Sequence, residues 1–197
     1  MRSLVIDTST DTMVVMVLED GRELAKVLRL GKHDHQAMMI PTIDDALTSL
    51  KLTLDDINDI IIGVGPGSYT GLRVGVMTAK MLGYTKNIQV RSISSLLLLT
   101  SGYEEKVFAW HDARNDNGFS VLLNHGKFLN EEKLRHISEV TSDELSHMVK
   151  ICHDTIKLDG MVISKEAVIV EDIKALIPNY LRKTEAEVTL DQKSTHN

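Results

Sequence analysis

A glycine-rich stretch behind an apolar run is the first place in this sequence where residue types and spacing could hold a ligand. Residues 63–75 read GVGPGSYTGLRVG and follow the run at 60–62. Glycine-rich turns between a strand and a helix often bind phosphate. The Walker pattern requires Lys and then Ser or Thr after its last glycine, whereas Gly71 is followed by Leu and Arg. The dinucleotide pattern G-x-G-x-x-G fails as well, because no glycine stands at its third position from either Gly63 or Gly65. The stretch is therefore predicted to be a tight turn and not a phosphate cradle.

The helix expected after this turn, over residues 72–84 with Thr70 as its N-cap, has one side made of small residues. Glycine or alanine recurs at every fourth position, at Gly71, Gly75, Ala79 and Gly83. Residues four apart lie on the same side of a helix, and small residues there let another backbone approach closely. The spacing leaves two alternatives open, tight packing on the protein's own sheet or a contact with another subunit. A Met-rich helix over 38–50 is the expected neighbour.

Other polar segments carry weaker signals. Arg73 lies in the first turn of the predicted helix, where a cation opposes the helix dipole, so we expect an acidic partner or an external anion. Residues 7–10, Asp-Thr-Ser-Thr, could face an anion but are interpreted as a turn. Residues 33–35, His-Asp-His, are interpreted as a solvated loop, and no metal site is predicted. Residues 111–112, His-Asp, end a predicted strand, but without a nucleophile they are weak evidence for hydrolysis.

Composition limits the class of protein. The chain has 197 residues, of which 43% are hydrophobic and 25% charged, and its formal net charge is −6. These values are ordinary for a globular protein. The negative net charge argues against a protein that binds nucleic acid without a partner subunit. The single cysteine, Cys152, fits a reducing compartment and is expected to be a buried thiol. Neither a signal peptide nor a membrane-spanning run is predicted, and we expect a cytoplasmic protein.

Hydrophobic periodicity predicts two successive α/β units. In the first, strands are expected at 3–7, 13–18, 23–29, 60–64 and 90–92, and helices at 36–50, 72–84 and 94–101. In the second, strands are expected at 106–111, 119–123, 134–137 and 160–164, and helices at 141–152 and 170–177. The restart of β structure predicts an N-terminal lobe at 1–102, a smaller C-terminal lobe at 103–183 and a polar tail at 184–197.

Several motifs, in the expected order along most of the chain, resemble those of the TsaB (YeaZ) family. The most specific is GPGSYTGLR at 65–73, accompanied by LVIDTST at 4–10, the helix entry at 35–41, DAR at 112–114 and PNYLR at 178–182. The resemblance implies an actin/Hsp70-like (ASKHA, ribonuclease H-like) α/β fold. In that fold there are two lobes, each with a mixed sheet flanked by helices.

The resemblance also implies a function and partners. Members of this family are non-catalytic subunits in the threonylcarbamoylation of the adenosine adjacent to the anticodon, in tRNAs that read codons beginning with A. They bind and activate a larger paralogue, the transferase TsaD, and an ATPase, TsaE, joins the complex. The resemblance implies no cofactor on this chain, with ATP and a metal ion on the partner subunits and tRNA contacted through the complex. In isolation the same face is expected to form a homodimer.

The residues expected to bind the partner lie on the two helices around the glycine-rich turn. They are Met38, Met39, Ile43, Leu47, Leu72, Gly75, Val76, Ala79, Leu82 and Gly83. Anion or interface contacts are expected from Asp7, Thr10, Arg73 and Arg114.

The sequence departs from the enzymes of the wider fold in ways that argue against catalysis by this chain alone. Met39 stands where the paralogue's metal motif H-x-x-x-H would place its second histidine. Ser9 replaces the glycine of the first phosphate loop, and the segment at 112–114 lacks the glycine of the second. The alternative is a stand-alone nucleotide-dependent enzyme whose functional residues would be Asp7, Thr10 and His111.

Overall fold

The computed structural model describes residues 1–31 and 34–181. Its strands are β1 (Arg2–Asp7), β2 (Thr12–Glu19), β3 (Arg22–Leu30), β4 (Asp59–Gly63), β5 (Gln89–Ile93), β6 (Lys106–Asp112), β7 (Asn117–Asn124), β8 (Lys127–Phe128), β9 (Lys133–His136), β10 (Met148–Lys150) and β11 (Val168–Ile169). Its helices are α1 (His35–Ser49), α2 (Tyr69–Lys86), α3 (Ser95–Thr100), α4 (Ser142–Ser146) and α5 (Gly160–Glu166). None of the helices in this part of the chain combines the length and hydropathy that a membrane crossing needs.

The strands form two mixed sheets. The first has the order β11-β5-β4-β1-β2-β3, and the second has the order β10-β6-β7-β8, with β9 also paired to β7. In the first sheet β1, β4 and β5 run parallel, while β2 and β3 complete an antiparallel meander. In the second sheet β10 runs parallel to β6 and the other pairs are antiparallel. Two mixed sheets flanked by helices confirm the predicted fold class.

The central strands of the first sheet are buried on both faces. Along β1, Leu4 and Ile6 contact the core under α1 and α2, whereas Val5 contacts the core between the two sheets. Residues 60–62 of β4 alternate between the two cores in the same way. Successive side chains of a strand point to opposite faces, so a strand covered on both sides needs a continuous apolar run. This is why the apolar run that leads into the glycine-rich turn is an interior strand.

Helices α1 and α2 cover one face of the first sheet and contact each other. The buried residues of α1 are Met39, Thr42, Ile43, Ala46 and Leu47. Those of α2 are Gly71, Leu72, Gly75, Val76, Ala79, Leu82 and Gly83. Both helices therefore turn one apolar stripe inward, as an amphipathic helix on a sheet does.

The helix predicted at 141–152 is wrong in its second half. Helix α4 ends at Ser146, and Met148–Lys150 instead pairs in parallel with Phe108–Trp110 of β6. The helix begins where predicted, because the side chains of Thr141 and Glu144 form a capping box at its N-terminus. The end was set by a strand that lies about forty residues earlier in the chain, which a local pattern does not contain.

Two further predictions in the C-terminal part were wrong. The segment expected as a strand at 160–164 is helix α5, which begins because the Asp159 carboxylate accepts hydrogen bonds from two backbone N–H groups of the first turn. The helix expected at 170–177 is absent. Strand β11 pairs with β5, and irregular turns follow it.

After β11 the chain returns to the first sheet. Ile173 and Leu176 pack against the core under α1 and α2, and the backbone N–H of Asn179 donates to the Val64 carbonyl at 2.7 Å. Residues 168–181 therefore contact the N-terminal unit, although they were assigned by sequence to the lobe at 103–183. The predicted tail at 184–197 lies outside the described residues.

Candidate functional site

Three backbone N–H groups in the glycine-rich segment between β4 and α2 donate hydrogen bonds to the protein's own chain. The backbone N–H of Ser68 donates to the Ser9 carbonyl at 2.7 Å, and that of Gly65 donates to the Ser95 hydroxyl at 2.9 Å. The Ser68 hydroxyl accepts from the Gly71 N–H at 3.3 Å, so Ser68, and not Thr70, is the N-cap of α2. A phosphate cradle needs such N–H groups free to face the ligand. These bonds close the turn on the loop after β1, and the three N–H groups are not free to face a phosphate.

The small residues of α2 admit a close approach by that same loop. A Cβ at Gly71 would lie 2.0 Å from the Thr8 carbonyl oxygen, and one at Gly75 would lie 2.5 Å from the Thr8 hydroxyl. Farther along, a Cβ at Gly83 would lie 2.5 Å from a side-chain carbon of Val90. Of the two alternatives that the spacing left open, packing on the protein's own sheet accounts for the glycines.

The residues expected to bind the partner mostly face inward. Met38 is half-buried, and the rest are buried within the chain: Met39, Ile43, Leu47, Leu72, Gly75, Val76, Ala79, Leu82 and Gly83. Inner and outer residues of an apolar helix share the same residue types, so the sequence pattern alone did not separate them. Because most of these side chains fill the core against the sheet, they are not available on the surface of the isolated chain, and their role in partner binding stays a prediction.

Large apolar side chains nevertheless remain exposed on the outer side of the same helix layer. We call them the outer helix surface: Ile40 (48% exposed), Met77 (61%), Met81 (48%) and Tyr84 (67%). The spacing of Arg73, Met77 and Met81, four residues apart, was present in the sequence and could have identified this stripe.

Within the described residues Arg73 has phenol partners and no acidic one, and of the two predicted partners the external anion stays a prediction. Its Nε donates to the Tyr180 hydroxyl at 3.3 Å, its Nη2 donates to the Tyr69 hydroxyl, and its guanidinium carbon lies 4.1 Å from the Tyr69 ring centroid. The two tyrosine rings are 4.7 Å apart. The hydrogen bond to Tyr180 raises the pKa of Arg73. The contact joins α2 to a segment 107 residues later, which no local pattern shows.

Asp7 and Thr10 serve the turn after β1. Asp7 is fully buried, and its Oδ1 accepts from the backbone N–H of Ser9 at 2.8 Å and from the Ser9 hydroxyl at 2.6 Å. Burial raises the pKa of Asp7, while hydrogen bonds from Ser9 and Ser95 act in the opposite direction. The Thr10 hydroxyl pairs with the backbone of Thr12 at 3.0 Å. These contacts support the interpretation of residues 7–10 as a turn.

A cleft of about 720 Å³ opens between the two units, beside this turn. Its lining includes Thr10, Thr12, Tyr69, His111, Arg114 and Tyr180. Burial lowers the pKa of His111, whereas the nearby carboxylates of Asp112 and Asp11 act to raise it. Of the three residues of the enzyme alternative, Thr10 and His111 line the cleft, and the buried Asp7 does not. The structure therefore brings two of these three residues to one cleft.

The remaining chemical candidates are dispersed. Cys152 is exposed, so the prediction of a buried thiol was wrong; it follows β10 and does not lie in a helix. His35 packs inward, with its Nε2 2.9 Å from the Thr10 carbonyl oxygen, and His33 lies outside the described residues. Within residues 1–31 and 34–181, no three His, Cys, Asp or Glu side chains form a group that could hold a metal ion.

The sequence of this chain matches a known protein family. Residues 29–165, more than half of the chain, match the family described as TsaD, tRNA N6-adenosine threonylcarbamoyltransferase. A relative named tRNA threonylcarbamoyladenosine biosynthesis protein TsaB, from Bacillus subtilis, is 25% identical over 95% of this chain and 96% of its own length. The chain belongs to the TsaB (YeaZ) branch of this family.

Two more similarities support the assignment. The TsaB protein of Escherichia coli is 34% identical over 58% of this chain, which corresponds to 51% of that protein. A solved structure of YeaZ from Pseudomonas aeruginosa superposes with a TM-score of 0.75 and 22% identity, covering 91% of this chain and 99% of the other. The structural likeness confirms the fold expected for the TsaB family.

Proposed function

We propose that this chain is a non-catalytic scaffold subunit for threonylcarbamoylation of the adenosine adjacent to the anticodon, in tRNAs that read codons beginning with A. It binds and activates a TsaD-like transferase in the cytoplasm. A TsaE-like ATPase joins the complex, and tRNA is contacted through the complex. ATP and a metal ion then belong to the partner subunits. The relatives named TsaB, tRNA threonylcarbamoyladenosine biosynthesis proteins, support this pathway.

The observation that carries the proposal is the outer helix surface. Helices α1 and α2 have already filled the core with their inner sides, and yet Met77, Met81 and Ile40 stand about half exposed or more on the outer side. Apolar helix faces are stabilised when another helix pair covers them, and methionine adapts to such a contact. A related subunit of the same fold offers a matching helix pair. In the absence of that partner, a second copy of this chain is expected to cover the same surface.

The satisfied glycine turn supports the non-catalytic part of the proposal. Its backbone N–H groups at Gly65, Ser68 and Gly71 already bind oxygen atoms of the chain itself. A phosphate held by these three groups would have to displace the bonds, and each buried polar group left unpaired costs about 1–3 kcal/mol.

The binding test uses residues that are exposed in the isolated chain. Met77→Asp and Met81→Asp place a charge on the outer helix surface, and Met161→Asp on α5 is the matched control because Met161 is 60% exposed. We expect both outer-surface variants to lose co-purification with the TsaD-like transferase of the same organism, while the control keeps it. Retention of the partner by both outer-surface variants would overturn the proposed interface. Charged substitutions at Gly75 or Ala79 would be a poor test, because these residues are buried and the variants would unfold.

The cleft supports a second candidate, a stand-alone nucleotide-dependent enzyme. Its volume of about 720 Å³ is within the range of ligand pockets, and Thr10 and His111 line it. Calorimetry of the isolated chain with ATP and Mg²⁺ separates the two functions. The scaffold proposal predicts no binding heat, and tight binding without a partner subunit would favour the enzyme.

A further inference from the structure

The cluster of Tyr69, Arg73 and Tyr180 holds an exposed cation in a fixed position. The guanidinium bonds both phenol hydroxyls and lies over one ring, as described above. None of the ion pairs among the described residues involves Arg73. The phenols orient the guanidinium but do not neutralise its charge.

Arg73 retains unused hydrogen-bonding capacity. A guanidinium has five N–H donors in a planar fork, and the contacts to Tyr180 and Tyr69 use two of them, which leaves three. Because the side chain is already oriented, less conformational entropy is lost when an anion binds.

The position of Arg73 indicates which anion it meets. Tyr69, Arg73, Met77 and Met81 follow one another at intervals of four residues along the exposed side of α2, so the cation continues the outer helix surface. Nucleic-acid sites cluster several cations, whereas of these four exposed positions Arg73 alone is charged. A carboxylate of a protein partner fits this combination of one oriented cation beside apolar side chains.

We propose that the Tyr69–Arg73–Tyr180 cluster receives an Asp or Glu side chain of the subunit that covers Met77 and Met81. This inference rests on the proposed function. It assigns to Arg73 an ion pair across the interface, which fixes the orientation of the partner and speeds its association.

The test compares Arg73→Met with Arg73→Lys in binding to the TsaD-like transferase of the same organism. Arg73→Met keeps a long side chain over Tyr69 but removes the charge, and Arg73→Lys keeps the charge but loses the fork. We expect Arg73→Met to weaken binding about ten-fold at low salt. Raising the salt from about 50 to about 500 mM should weaken wild-type binding more than binding of this variant, because salt screens the ion pair. The affinity of Arg73→Lys for the transferase should lie between those of wild type and Arg73→Met.

Controls separate this inference from a structural role and from the proposed function itself. If Arg73→Met lowers the melting temperature but binds the partner as wild type does, the cluster is structural and the inference is wrong. If it weakens binding of tRNA to the assembled complex while the affinity of the two subunits is unchanged, the anion is a phosphate and the inference is also wrong. If Met77→Asp abolishes binding and Arg73→Met does not affect it, the docking surface stands without the ion pair. A wild-type chain that does not bind the transferase contradicts the proposed function and, with it, this inference.

Discussion

Thr8 and Gly71 are in direct contact between the loop after β1 and the first turn of α2. The Thr8 hydroxyl donates to the Gly71 carbonyl at 2.7 Å. A Cβ added at residue 71 would lie only 2.0 Å from the Thr8 carbonyl oxygen. The contact joins residues 63 positions apart in the sequence. It explains why residue 71, in the first turn of α2, is a glycine.

Gly71→Ala should destabilise the fold. The new methyl group would clash with a backbone oxygen, which cannot move away by a change of side-chain rotamer. Overpacking of this kind costs about 1–3 kcal/mol. Urea unfolding measures the change as a lower midpoint. Thr70→Ala is the control, because Thr70 is exposed and is not the N-cap. Equal midpoints for Gly71→Ala and wild type would show that the loop moves away freely.

His111 should make stability depend on pH near neutrality. Burial lowers its pKa in the folded state below the ordinary value of 6.5, so folding favours the neutral ring. The stability that this provides is present above about pH 6.5 and is lost as the pH falls below it, by at most about 1.4 kcal/mol per pH unit. His111→Phe replaces the titrating ring beside Phe119 with an aromatic ring that does not titrate.

The measurement is the free energy of unfolding of both proteins between about pH 7.5 and pH 5. Wild type should lose more stability than His111→Phe over this interval. Parallel curves would mean that His111 is as easily protonated in the folded state as in the unfolded chain.

Glu132 should make the stability depend on pH in the opposite direction to His111. Its carboxylate accepts from the Asn179 amide at 3.3 Å and from the Ser94 hydroxyl, and burial raises its pKa above the ordinary value of 4.5. Because the folded state then binds the proton more tightly, its contribution to stability falls as the pH rises from about 4.5 through the raised pKa. Glu132→Gln is always neutral and should gain stability relative to wild type as the pH rises toward 7.

Glu131→Gln is the matched control for this change, since Glu131 is the exposed neighbour. Thermal unfolding at pH 4 and pH 7 is sufficient to compare the three proteins. If Glu132→Gln instead loses stability relative to wild type between pH 4 and pH 7, the two hydrogen bonds to the Glu132 carboxylate outweigh the cost of burying it.

The isolated chain should form a dimer through the outer helix surface. An apolar surface of this kind is more stable when covered, and a second copy offers the same residues. Sedimentation equilibrium should give twice the mass of one chain for wild type and for Met161→Asp, but the mass of one chain for Met81→Asp. A dimer that survives Met81→Asp would place the contact elsewhere.

Local patterns in the sequence predicted the N-terminal unit well. The strands predicted at 13–18 and 23–29 are β2 and β3, joined by a turn at Asp20-Gly21, and the helix predicted at 36–50 is α1. The features that were not predicted depend on contacts between residues far apart in the sequence. Residues 148–150 form a strand because they pair with β6, and Arg73 meets Tyr180 because the chain returns to the first sheet after β11. Most residues predicted to bind the partner lie on the inner side of the helices, because periodicity locates an apolar stripe without showing what covers it.

The rate of threonylcarbamoyl transfer tests the central claim most directly. The reaction would contain tRNA, the TsaD-like transferase and the TsaE-like ATPase of the same organism, with wild-type chain, with the double variant Met77→Asp and Met81→Asp, or with Met161→Asp. The scaffold account predicts that wild type and Met161→Asp activate the transfer equally and that the double variant gives the rate seen without this chain. Full activation by the double variant, or transfer by wild type in the absence of the transferase, would contradict it.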